Sequence, residues 1–74
     1  MTEPAPAAIT ITLNGESHTL PGGTTVAALL AQLGTPEFGA AVERNRAVVR
    51  KKDHALTALQ AGDVVEIVQF VGGG

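Results

Sequence analysis

The chain has 74 residues, no cysteine, tryptophan or tyrosine, and a formal net charge of −2. That length allows one domain, and a domain this small struggles to enclose both a core and a catalytic pocket of several hundred cubic ångströms. The missing cysteines exclude a thiol nucleophile, an iron–sulfur cluster and a zinc ribbon. A hydrophobic share of 45% argues against a wholly disordered chain.

The elements follow in chain order. Met1–Ala8 reads as a disordered leader, because Pro4 and Pro6 block helix and remove ladder donors. It has no basic segment followed by an apolar core, so a signal peptide is not predicted, and a cytoplasmic protein is expected. Ile9, Ile11 and Leu13 alternate with Thr10 and Thr12, the pattern of a half-buried strand. Asn14-Gly15 then predicts a tight hairpin, since both residues tolerate positive φ. Glu16–Leu20 is the return strand. Thr24 or Thr25 is placed to cap a helix whose apolar stripe is Val26, Leu29, Leu30 and Leu33. Gly34 suits a left-handed cap, and Pro36 prevents the helix from resuming. Ala40–Arg44 and Ala47–Arg50 read as two short strands around an Asn45-Arg46 turn. Leu56 and Leu59 are expected on one helical turn under the core. Gly62-Asp63 is a turn, and Val64–Phe70 is the most β-rich run in the chain.

One amphipathic helix among five strands excludes a ferredoxin-like fold, which needs two helices. The fold class predicted is α+β: a mixed five-stranded sheet packed on one main helix, the ubiquitin-like β-grasp. Residues 9–71 form that domain, and residues 72–74 form a flexible tail.

The chemistry-bearing features lie near the end of the sequence. Phe70-Val71 runs into Gly72-Gly73-Gly74, residues without a Cβ and without steric bulk. Such a tail can carry a terminal carboxylate into a narrow slot. A carboxylate is ionised at neutral pH and a poor electrophile, so it must first be activated, for example as an acyl-adenylate made from ATP. Along the last strand, Val64, Glu66, Val68 and Phe70 share one face, and Val65, Ile67, Gln69 and Val71 share the other. Glu66 marks the first face as solvated. Val68 and Phe70 then stand beside the tail either as an open apolar patch or as cover for a core edge.

All five basic residues fall between Arg44 and Lys52: Arg44, Arg46, Arg50, Lys51 and Lys52. They read as a solvated, ordinarily paired turn or as an electrostatic patch for an acidic partner. Nucleic acid is not indicated, given the negative net charge and the lack of an aromatic residue within the run. Ser17 and His18 are neighbours on a strand, point to opposite faces and cannot form a nucleophile–base pair. His18 and His54 lack metal-ligand spacing, so no metal site is predicted. Pro21-Gly22-Gly23-Thr24-Thr25 lacks the lysine and glycine spacing of a phosphate loop.

Taken together, Leu13-Asn14-Gly15-Glu16, Thr25-Val26 with Leu29-Leu30 and Leu33, Val42-Glu43-Arg44-Asn45, Val48-Val49-Arg50, Leu59, the run Gly62–Val68 and the triple glycine resemble the thiamine-biosynthesis sulfur carrier proteins. The resemblance covers Ile9–Gly74. It implies a carrier rather than an enzyme, with no catalytic residue and no bound cofactor. A ubiquitin-activating-type adenylyltransferase would use ATP and magnesium to adenylate Gly74. Sulfur drawn from cysteine by a desulfurase would convert it to a thiocarboxylate, and thiazole synthase would accept that sulfur. Gly73 corresponds to the family's preceding glycine, and Gly72 is an additional one. The partner-binding residues expected beside the tail are Val68, Phe70 and Val71. A monomer when free, without membrane or nucleic-acid partners, is expected. Two other readings stand beside this one: a carrier like the small subunit of molybdopterin synthase, and a ubiquitin-like interaction module without covalent chemistry.

Overall fold

The structure, a computed structural model, describes residues 7–36 and 38–70. Strands β1 (Ala8–Leu13) and β2 (Glu16–Pro21) form an antiparallel hairpin in register from Ala8↔Pro21 to Leu13↔Glu16. Asn14 and Gly15 turn it with φ of 48° and 83°, the doubly positive geometry that suits the right-handed twist of the strands. Helix α1 (Val26–Leu33) follows. The Thr25 side chain accepts a hydrogen bond from the Ala28 backbone N–H at 3.1 Å, satisfying a donor that has no partner within the helix. Gly34 ends the helix at φ 68°, where its N–H reaches back to the last turn.

Strands β3 (Ala40–Arg44), β4 (Ala47–Val49) and β5 (Val64–Gln69) complete one sheet in the order β2-β1-β5-β3-β4. β5 lies in the middle, parallel to β1 and antiparallel to β3. This is the mixed five-stranded sheet with one main helix expected of a β-grasp domain. Its core is Ile11, Leu20, Val26, Leu29, Leu30, Val42, Leu59 and Val65, none more than 2% exposed. Four strands, the helix and the loop before β5 each contribute to it. The helix is too short to be stable alone in water, so its apolar stripe owes its order to this packing.

Three expectations shift. The boundary drawn after Ala8 moves, because Ala8 pairs with Pro21 and the Ala7 carbonyl accepts the Gly22 N–H at 2.8 Å; residues 1–6 lie outside the described residues. Leu33 ends the helical stripe 42% exposed, beyond the edge of the core. The helical turn expected at Leu56 and Leu59 forms earlier, as a 3₁₀ turn at Lys51–Asp53. Residues 57–59 instead run extended along the start of α1. The Val26 N–H donates to the Thr57 carbonyl at 3.0 Å, and the Leu59 N–H donates to the Thr24 carbonyl at 2.9 Å. Extended backbone leaves Leu59 buried, while Leu56 stays 80% exposed in the turn before it.

Candidate docking site at the end of the central strand

The site is built on β5, whose two faces differ as the alternation requires. Val65 is buried and Ile67 half-buried toward the helix, whereas Val64, Val68 and Phe70 stand 46%, 54% and 63% exposed on the other face. Phe70 is therefore a solvent-facing aromatic, and it does not cover a core edge. Val71, Gly72, Gly73 and Gly74 lie outside the described residues.

The path of β5 is held from both sides. On one side the Asn14 N–H donates to the Val65 carbonyl at 2.9 Å, and Asn14 Oδ1 accepts the Ile67 N–H at 2.8 Å. The hairpin turn thus extends the β1–β5 pairing past the end of β1. On the other side β3 pairs from Arg44↔Val65 to Ala40↔Gln69. One bond beyond the strand, the Phe70 N–H donates to the Gly39 carbonyl at 2.7 Å. Gly39 has φ 85°, a conformation that a side chain disfavours, so this carbonyl is presented at a position suited to glycine. Phe70 is thereby held to the sheet two residues before the first of the three glycines.

The start of β5 is anchored by a buried carboxylate. Asp63 accepts from Arg44 Nε at 2.7 Å, from Asn45 Nδ2 at 3.0 Å and from the Gln60 N–H at 2.8 Å. Burial alone would raise its pKa. The hydrogen bonds from Arg44, Gln60 and Asn45, together with the Arg44 charge, outweigh burial and hold it below the ordinary carboxylate range. Asn45, at φ 53°, also accepts the Val64 N–H on Oδ1 at 2.9 Å, so the β3–β4 turn clamps the entry to β5.

This anchor divides the basic run. Arg44 belongs to the structural clamp, and Arg46 sits in the turn at that same end of the sheet with φ 70°. Arg50, Lys51 and Lys52 follow β4 at the opposite end and are exposed. Of the two readings open for residues 44–52, ordinary pairing holds for Arg44, and a single continuous patch does not form, because a hairpin folds the run into two separate groups. The sequence signal that could have separated them was the Asn45-Arg46 turn itself.

On the solvent face, Glu43 and Glu66 are cross-strand partners. They line a recess of about 190 Å³ with Arg46 and Val64, smaller than the several hundred cubic ångströms of an ordinary small-molecule site. Ser17 is exposed and His18 half-buried on β2, on opposite faces as expected. His54 is 2% exposed, and its Nε2 lies 3.1 Å from the Val49 carbonyl. A carbonyl only accepts, so Nε2 holds the proton, and the buried Nδ1 has no hydrogen-bond partner among the described residues. Sequence reasoning missed the burial of this residue, because a polar loop gives no periodic signal.

The described fold and the glycine end come together in one comparison: the ThiS family matches residues 11–74, most of the chain and all of its terminal glycines. The chain belongs to the ThiS family. Solved structures agree. The crystal structure of the thiamine biosynthesis protein ThiS from Geobacter metallireducens is 32% identical, with a TM-score of 0.72, covering 89% of this chain and 100% of that one. A solution NMR structure of a thiamine biosynthesis protein from the same organism gives 32% identity and a TM-score of 0.73, covering 89% of this chain and 88% of the other. Among curated proteins, a thiazole synthase of Magnetococcus marinus is 47% identical over 64 residues, and one of Paramagnetospirillum magneticum is 44% identical over 64 residues. The match covers 86% of this chain but 20% of each synthase, so the chain spans about a fifth of their length. A ThiS-like segment is thus part of longer proteins named for thiazole synthesis. No helix among the described residues is long and apolar enough to cross a membrane.

Proposed function

We propose that this ThiS-family chain is a sulfur carrier in the biosynthesis of the thiazole of thiamine, and that Gly74 is the residue that holds the sulfur. The observation that supports this most directly is that the family match runs through Gly74 itself. In the reaction, a carboxylate oxygen of Gly74 attacks the α-phosphorus of ATP and pyrophosphate leaves. The acyl-adenylate carbonyl is then open to sulfur at the oxidation level of hydrosulfide, which forms the C–S bond, displaces AMP and, on loss of its proton, leaves a thiocarboxylate. A ubiquitin-activating-type adenylyltransferase uses ATP and magnesium for the first step, and thiazole synthase accepts the sulfur. The chain itself contributes a handle and a thread rather than catalysis. The sheet holds Phe70 through the Gly39 carbonyl, and Gly72–Gly74 present no side chain to a narrow channel. Val68, Phe70 and Val71 meet the partner where the thread enters. The two curated relatives are named thiazole synthases, which favours the thiamine pathway over a molybdopterin-type carrier.

The test is intact mass spectrometry of the protein isolated from its own cells. A fraction heavier by one oxygen-for-sulfur exchange, mapped to Gly74, is the expected result. A terminus that stays unmodified after incubation with ATP, magnesium, the adenylyltransferase and a sulfur source overturns the proposal in favour of a non-covalent binding module.

A further inference from the structure

Three consecutive cations stand at the end of the sheet from which the tail departs. The β3–β4 pairing closes at Val42↔Val49. Beyond it, β4 continues into Arg50, Lys51 and Lys52, while the partner side leads back through Ala41 and Ala40 to Gly39, whose carbonyl holds the Phe70 N–H at 2.7 Å. The basic run and the last sheet bond before the tail therefore share one end of the molecule. Contact confirms the placement, since the Lys51 ammonium lies over the ring of Phe38, the residue before Gly39. Phe38 is 80% exposed, and the cation over its face gives Lys51 a defined direction despite its long side chain.

Apart from the contact of Lys51 with Phe38, these cations are free of ion pairs among the described residues. Among the described residues the ion pair formed is Arg44–Asp63, at the far end of the sheet, and none involves Arg50, Lys51 or Lys52. Arg50, Lys51 and Lys52 outnumber the adjacent carboxylate Asp53, so this segment is positive on a chain of net charge −2. The field of such a segment orients an encounter and selects a negative partner surface.

We propose that Arg50, Lys51 and Lys52, together with Phe38, form an electrostatic docking surface beside the tail, and that its occupant is an acidic rim around the channel of the enzyme that activates Gly74. This rests on the carrier function proposed above. The cations lie outside the reacting atoms. They guide the tail to the channel mouth, while Phe70 makes the apolar contact.

The test is ATP–pyrophosphate exchange by the adenylyltransferase purified from the organism that makes this chain, with the carrier as varied substrate. Lys52→Glu, the double variant Lys51→Glu/Lys52→Glu and Arg46→Glu are compared with the wild type, each first shown to be folded by thermal unfolding. The double variant is expected to raise KM about tenfold and Lys52→Glu about threefold, with kcat within about twofold, because rim charges act on association. Arg46→Glu makes the same charge change as Lys52→Glu but at the far end of the sheet, and its KM stays near that of the wild type. Raising the salt concentration raises the wild-type KM and flattens the difference between wild type and double variant. The salt titration of the wild type needs no variant to fold. Equal KM values for all proteins, a salt-independent wild-type KM, or an Arg46→Glu effect equal to that of Lys52→Glu overturns the docking surface while leaving adenylation standing. A wild type that supports no exchange overturns the carrier function itself, and this inference with it.

Discussion

Asp63 offers a sharp test of how this small domain holds its central strand. Its side chain is 8% exposed and its carboxylate accepts three hydrogen bonds, one of them from a guanidinium. Asp63→Ala removes the acceptor and leaves Arg44 Nε, Asn45 Nδ2 and the Gln60 N–H to find water. Breaking a buried pair costs about 3–5 kcal/mol. Arg44 is 31% exposed and can rehydrate, which lowers the expected loss to about 2–3 kcal/mol. A domain of this length has roughly 4–11 kcal/mol of stability in all, so the variant keeps a fraction of it. In urea, with a slope of about 1 kcal/mol per molar, the midpoint should fall by about 2–3 M. The dependence on pH gives a second reading. The folded pKa of Asp63 is lowered, so its contribution is present above the unfolded value and is lost as pH falls through the folded one. Wild-type stability should therefore fall below about pH 4, and Asp63→Asn should flatten that decline. A midpoint shift under about 0.5 M at neutral pH, with an unchanged slope, would refute the view that this carboxylate clamps β3 to β5.

Other outcomes follow from the same geometry. Leu29→Ala, at a position with no exposure, should cost about 3–4 kcal/mol in equilibrium unfolding; a loss below about 1 kcal/mol would mean the helix is not seated on the sheet as described. Thr25→Ala removes the N-cap bond to Ala28 and should lower stability by about 1 kcal/mol, read as a shift of thermal midpoint. Phe70→Ala should change stability by less than about 0.5 kcal/mol, since the ring is 63% exposed. It should weaken adenylyltransferase binding about tenfold by calorimetry; the reverse pattern would place the ring in a structural role. Appending one alanine after Gly74 should leave the unfolding curve unchanged and abolish adenylation, and normal exchange activity by the extended protein would refute the tail mechanism.

Much of the architecture was legible locally. Alternation in Ile9–Leu13 and in Val64–Phe70 shows which residues face inward, because successive strand side chains must point to opposite faces. Asn14-Gly15, Thr25 and Gly34 mark their turn and caps because few residue types accept those backbone geometries or supply those bonds. Leu56 was misread because an apolar pair at helical spacing is compatible with a turn followed by extended chain, and only the bonds from Val26 and Leu59 decide between them. The partner of Asp63 was likewise invisible, since Arg44 lies 19 residues away and looks like one of five similar cations.

What the sequence determined by itself was therefore the five strands and the main helix, the inward faces of the strands and the run of glycines, each encoded within a few neighbouring residues. The tertiary structure alone decided adjacency. β5 lies between β1 and β3, which brings Asp63 to Arg44 and Asn45, Phe70 to Gly39, and the cations after β4 to the end of the sheet where β5 finishes. Those meetings depend on long-range strand pairing, in which one register places every side chain at once. No local pattern of residues specifies which distant strand supplies the neighbour.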